Sequence, residues 1–241
     1  MNSLTASRRP TCTEQGKLLC TGCKDVKYCS AETQQADWPS HKHLCSSFKN
    51  FQRRPAEDMH RIIYFPKDAK KPEFMWRPLK HHHSDAGFEK VGMGDLINGR
   101  VEKGFVIQVN GMTGKPLGYT MYLRYDDDFM ANYSKPNKAV TTAANGKLDF
   151  SWGGPVYAEC GHGALDIVSM EDMDMGTFAA LVAFLQDYSN DSAEQKARKG
   201  AKTEAVMVPA SHPVFDSTSS VSAISERIGL PIHTIKYSPD Q

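Results

Sequence analysis

Five of the chain's six cysteines fall between Cys12 and Cys45, and that clustering constrains the fold more than any other feature of the 241 residues. The block holds few branched aliphatic residues, so alone it cannot bury enough apolar surface to fold without a staple. The opening MNSLTASRRPTC lacks the apolar core of a signal peptide. No apolar run approaches the roughly 20 residues that span a bilayer. An intracellular chain, cytoplasmic or nuclear and without a membrane partner, is therefore expected. Reduced thiols clustered beside a histidine point to zinc rather than to disulfides.

Spacing selects the ligands. Cys20 and Cys23 form a Cys-x-x-Cys knuckle, whose tight turn aims two thiolates at one ion. His41 and Cys45 are four residues apart in a segment expected to be helical, which puts them on one helical face. Three thiolates and an imidazole complete a tetrahedral shell with no open position, the structural kind of zinc site. Catalysis by such a zinc is not expected.

The residues around these ligands resemble a MYND-type zinc finger over about residues 9–46: Cys20-x-x-Cys23, Tyr28-Cys29-Ser30, Gln34, Trp38, His41-Lys42 and Cys45. Fungal proteins with one such finger ahead of a larger uncharacterised region look especially similar, sharing the YFP of Tyr64–Pro66 and the W-x-P of Trp76–Pro78. The resemblance implies eight ligands in two interleaved sites. Two are missing here, because Arg9 and Thr33 stand where cysteines would accompany Cys12 and Cys29. Both losses fall on the same site. Arginine has no lone pair for a metal, and a neutral hydroxyl is a poor zinc ligand. One Zn2+ is therefore expected. Cys12 and Cys29 should remain as neighbouring reduced thiols unless Glu14, Glu32 or His43 completes the degenerate site. The resemblance also implies protein–protein contact, commonly with short proline-rich peptides, through a shallow groove formed by Gln34 and Trp38 with Tyr28 at its flank. The competing reading makes Trp38 and Tyr28 the finger's miniature core.

The rest of the chain reads as an α+β fold. Expected boundaries are a disordered N-terminus over 1–8, the finger over 9–46, a basic linker over 47–57 and an α+β domain of unknown function over 58–241. Strands are expected at Lys103–Val109, Tyr119–Tyr125, Pro155–Cys160, Glu204–Val208 and Pro231–Tyr237, from alternation and β-branched or aromatic content. Helices are expected at Met175–Tyr188 and Ser217–Ile228, the second stopped by Gly229 and Pro231.

No catalytic motif emerges. The cofactor motif of SET-type methyltransferases, which some MYND-bearing chains carry, has no counterpart beyond a superficial Asn132-Tyr133-Ser134. His81–His83 reads as an exposed loop and Cys160 as structural, because a thiol nucleophile's base is normally distant in sequence. Asp126–Asp128 lacks the spacing of a calcium loop. A net charge of +1, with scattered basic residues and no recognition motif, predicts no nucleic-acid partner. The leading expectation is a non-enzymatic zinc-finger interaction protein. The alternative is an enzyme with an unrecognised active site in 58–241.

Overall fold

The computed structural model describes residues 16–81, 89–97, 102–110, 115–126, 129, 133–163, 167–188, 206–209 and 232–235. The N-terminal lead, the imidazoles of the triple histidine and the helix expected at Ser217–Ile228 lie outside them. The architecture is α+β, as expected. The chain divides into a unit of residues 1–188 and a second of 189–241.

The first unit opens on the finger. Strands β1 (Leu18–Leu19) and β2 (Lys27–Tyr28) pair antiparallel on either side of the knuckle, with Leu18 opposite Tyr28. Helix α1 (Ala31–Phe48) follows and runs into a 3-10 turn, Lys49–Phe51. Its start is fixed by a reciprocal cap: the Thr33 N–H donates to the Ser30 hydroxyl, and the Ser30 N–H donates to Thr33 Oγ1. The helix carries Pro39 in its interior, which removes one backbone donor without ending it.

A largely antiparallel sheet forms the body. In chain order its strands are β3 (Met59–Phe65), β4 (Glu73–His81), β5 (Glu89–Val91), β6 (Glu102–Val109), β7 (Pro116–Asp126), β8 (Val156–His162) and β9 (Ser169–Glu171). In space they run β5-β4-β3-β8-β7-β6, and β9 pairs with the far end of β8. Short helices α2 (Gly94–Ile97) and α3 (Lys138–Ala143) and the longer α4 (Met175–Asp187) complete the unit.

The two-residue period of the strands sorts side chains onto both faces of the sheet. Ile63, Phe65, Met121, Leu123, Val156 and Ala158 enter one core with α1, α3 and α4. Their neighbours Ile62, Tyr64, Tyr122 and Tyr157 enter another with Met93, Ile97 and Ile167. In the second unit, β10 (Val206–Pro209) and β11 (Ile232–Ile235) pair parallel, Val206 opposite Ile232.

The expected boundary at residue 46 and the linker over 47–57 do not separate finger from body. Cys20, Cys23, Val26, Tyr28, Leu44, Cys45 and Phe48 belong to the same buried cluster as the central strands. Phe48 and Phe51 both pack on Phe74 of β4, at ring-centroid distances of 5.2 and 6.1 Å. The finger is too poor in apolar residues to close its own core, so it borrows one from the sheet. Likewise 58–241 is not one unit, since the division falls after Tyr188.

Candidate metal centre

Two local structures bring the four expected ligands together. In the knuckle, the Cys20 N–H donates to Val26 O and the Lys24 N–H to Cys20 O, both at 2.9 Å, with Lys24 at φ 55°. Gly22 is required by proximity: a Cβ there would lie 2.6 Å from Cys45 Sγ. On α1, His41 and Cys45 present one face, as their spacing predicts.

Cys20, Cys23, His41 and Cys45 are all buried, and their ligand atoms lie within 4.8 Å of one another. Cys20 Sγ is 3.7 Å from Cys45 Sγ and 3.4 Å from His41 Nε2, and Cys23 Sγ is 3.6 Å from that nitrogen. Tetrahedral zinc with Zn–S of about 2.3 Å and Zn–N of about 2.0 Å demands S···S edges near ~3.8 Å and S···N edges near ~3.5 Å. These three edges match, and the soft S3N donor set suits zinc better than oxygen-seeking cations. Among the described residues no second group of three or more such side chains converges.

Electrostatics favour deprotonated sulfur at the knuckle. Burial raises the Cys20 thiol, but backbone hydrogen bonds from Cys23 and Gly22 outweigh it and bring it to about 7. Burial lowers the His41 imidazole, yet its bond to Asp37 and the neighbouring Cys23 hold it up, to about 11. Metal binding therefore has protons to displace, and zinc uptake is coupled to pH.

The degenerate site is only partly in view, since Arg9 and Cys12 lie outside the described residues. The Thr33 hydroxyl donates to Ser30 O at 2.8 Å while it caps α1. Cys29 Sγ lies 3.6 Å from Thr33 Oγ1. The expectation of a reduced thiol at Cys29 is corrected, because Cys29 is disulfide-bonded. Glu32 sits in the first turn of α1, its carboxyl held below the usual range by a hydrogen bond from Ser30.

The expected groove residues separate. Trp38 is 47% exposed and Gln34 is half-buried, four residues apart on α1. Tyr28 does not flank an open groove: it is 1% exposed, and its hydroxyl donates to Asp37 Oδ2 at 2.5 Å. That hydroxyl also lies 3.0 Å from His41 Nδ1, and Asp37 Oδ2 lies 3.2 Å from the same nitrogen. Sequence reasoning missed Asp37. Its position four residues before His41 on one helix was the available signal.

Elsewhere, Cys160 is a fully buried thiol 3.7 Å from Glu171 O, and the His162 ring meets Glu171 at 2.8 Å. Asp126 is a buried end of β7.

A Cys3His cluster of two knuckle thiolates and two helical ligands has the donor set of a structural zinc site. Residues 10–45 match the family model of the MYND finger, so this chain carries a MYND finger over that stretch. Relatives agree. Tudor domain-containing protein 1 of Oryzias latipes is 49% identical over 37 residues, covering 15% of this chain and 3% of that protein. Rho GTPase-activating protein gacZ of Dictyostelium discoideum is 54% identical over 35 residues, covering 14% and 3%. The zinc finger MYND domain-containing protein 10 homolog of Drosophila melanogaster is 49% identical over 35 residues, covering 14% and 8%. The chain thus matches these relatives over less than a tenth of their length, and the likeness is confined to the finger. No solved structure matches. MYND fingers are generally protein-interaction modules.

Proposed function

We propose that this chain is a non-enzymatic interaction protein whose finger, held by one zinc, docks partner proteins through the Gln34–Trp38 face of α1. Extended proline-rich peptides are the ligand class that face suits. The observation that carries the reading is Trp38, a large aromatic left nearly half exposed in a module otherwise short of apolar residues. Its ring lies 6.0 Å from that of the ligand His41 on the same helix. Leu18 and Leu19 of β1 add further exposed apolar surface to the same finger. A flat indole suits proline rings, and the Gln34 amide can both donate to and accept from a peptide backbone. Titration of a proline-rich peptide against the wild type and Trp38→Ala tests this. Loss of an exposed aromatic anchor should weaken binding about tenfold or more. Equal binding by both chains would end the idea.

A single zinc per chain is part of this proposal, supported by the Thr33 hydroxyl, which is engaged in capping α1. Metal analysis of the purified protein should return one equivalent, and two would refute the single site.

The alternative, an enzyme, would need a cleft. One of about 290 Å³ opens between α1, the turn after α3 and α4, lined by Asp37, Ser40, Asn145, Lys147 and Gln186 among others. Two of its polar side chains instead tie its walls together. The Asn145 amide donates to the Ser40 hydroxyl at 2.6 Å, and the Gln186 amide to Ala144 O at 3.0 Å. That favours a scaffold. No helix among the described residues is long and apolar enough to cross a membrane. Residence in the cytoplasm or nucleus is proposed from the thiols of Cys20, Cys23, Cys45 and Cys160, with Cys29 a local exception.

A further inference from the structure

We propose that Asp37 and Tyr28 are positioning residues for the zinc, holding Nδ1 of His41 as N–H and fixing the ring direction so that Nε2, beside the thiolates, is the nitrogen that gives up its proton to the ion. The argument is a count of protons. Tyr28 has one hydroxyl proton, and it is committed to Asp37 Oδ2 at 2.5 Å. A carboxylate can only accept. His41 Nδ1 lies 3.0 Å from the Tyr28 oxygen and 3.2 Å from Asp37 Oδ2. If Nδ1 carried a lone pair, it would face two acceptors with no proton between them. The nitrogen must therefore be N–H, donating into the Tyr28–Asp37 pair. In the neutral ring this leaves Nε2 as the basic nitrogen, and Nε2 is the atom beside Cys20 and Cys23.

Packing makes the arrangement stiff. Tyr28, His41 and Asp37 are 1%, 2% and 9% exposed, so water does not compete for these bonds. The Tyr28 and His41 rings meet nearly edge-on at 68°. Asp37 and His41 are one helical turn apart on α1, so a single element carries the ligand and its holder. Tyr28 comes from β2, across from Leu18. A ligand held this way loses little orientational freedom on binding and is a stronger donor, which is how outer partners tune metal sites.

The inference rests on the four-ligand site, which the zinc content of the wild type tests separately. The closing experiment uses the full zinc-loaded chain and a chromophoric chelator as competitor, alongside the visible absorption of the Co2+-substituted protein. Asp37→Leu removes the acceptor at similar volume and should weaken zinc binding about 10- to 100-fold, with an altered cobalt spectrum. Asp37→Asn keeps an acceptor oxygen and should recover most of the loss. Asn145→Ala cuts a bond between α1 and the body without touching His41, and should leave zinc affinity unchanged. Wild-type competition and spectrum for Asp37→Leu would overturn the proposal. So would an Asn145→Ala loss as large as that of Asp37→Leu, which would mean general loosening of α1. Should Asp37→Leu fail to fold, Tyr28→Phe decides. It keeps the ring and must release zinc several-fold faster than wild type, and an unchanged rate overturns the idea.

Discussion

Withdrawing zinc should unfold the whole first unit, not the finger alone. The ligands Cys20, Cys23 and Cys45 sit in the same buried cluster as Ile63 and Phe65 of β3, Val156 of β8 and Phe178 of α4. Asp25, two residues beyond the knuckle, accepts the Met175 N–H at 2.9 Å and so helps start α4. A structural zinc contributes about 10 kcal/mol or more to folding. A domain of this kind is stable by only about 5–15 kcal/mol in total. Loss of the metal therefore removes most of the margin that holds the sheet. Near-ultraviolet dichroism of a Trp38→Phe chain reports Trp76 and Trp152, the latter buried in the body and far along the chain from the finger. In excess chelator, and equally in Cys23→Ser, that signal should vanish and the cooperative melt disappear. A body that kept both would show that finger and sheet fold independently.

The second large effect is expected at Arg61. Its guanidinium lies over the rings of Phe48, Trp76 and Phe74, at 4.8, 5.3 and 5.6 Å from their centroids. Nε donates to Met173 O at 2.5 Å, and Nη1 donates to Phe51 O. One side chain thus holds the end of α1, the 3-10 turn, β4 and the approach to α4. Arg61→Ala leaves two carbonyls without their donors and opens a void between the rings, a loss of about 3–5 kcal/mol. Arg61→Met keeps the apolar stem and should recover part of it. Urea unfolding of the zinc-loaded chain measures both. A change below about 1 kcal/mol for Arg61→Ala would mean the site is solvated and relaxes freely.

The metal centre was readable because ligand chemistry is local. Cys-x-x-Cys and a His and Cys one helical turn apart admit few geometries, and all four side chains meet where their spacings place them. Strands β6, β7 and β8 and helix α4 were readable for the same reason, since alternation and three-or-four periodicity are properties of neighbouring residues. Other features depended on partners distant in sequence. Strand β3 is buried on both faces, so MHRIIYF shows no alternation to read. Strand β4 contains Pro78, which argues against a strand until its pairing with Met59 is known. Whether Tyr28 flanked a groove or filled the finger's core stayed open in the sequence because its burying partners, Asp37 and His41, come from the next element. The stretch from 47 looked like a linker because its arginines and lysines are visible in sequence, while the grip of Phe48 and Phe51 on Phe74 is not.

The shared helix has a practical consequence for mapping partners by dissection. A fragment cut after residue 46 would end α1 before Phe48 and strip Leu44 and Cys45 of the sheet that covers them. The remaining body would lose the cover over Phe74 and the carboxylate that heads α4. Both halves would present sticky, newly bared interiors, and anything they captured would report damage rather than recognition. Single surface changes in the intact chain are the sound way to ask what this finger holds.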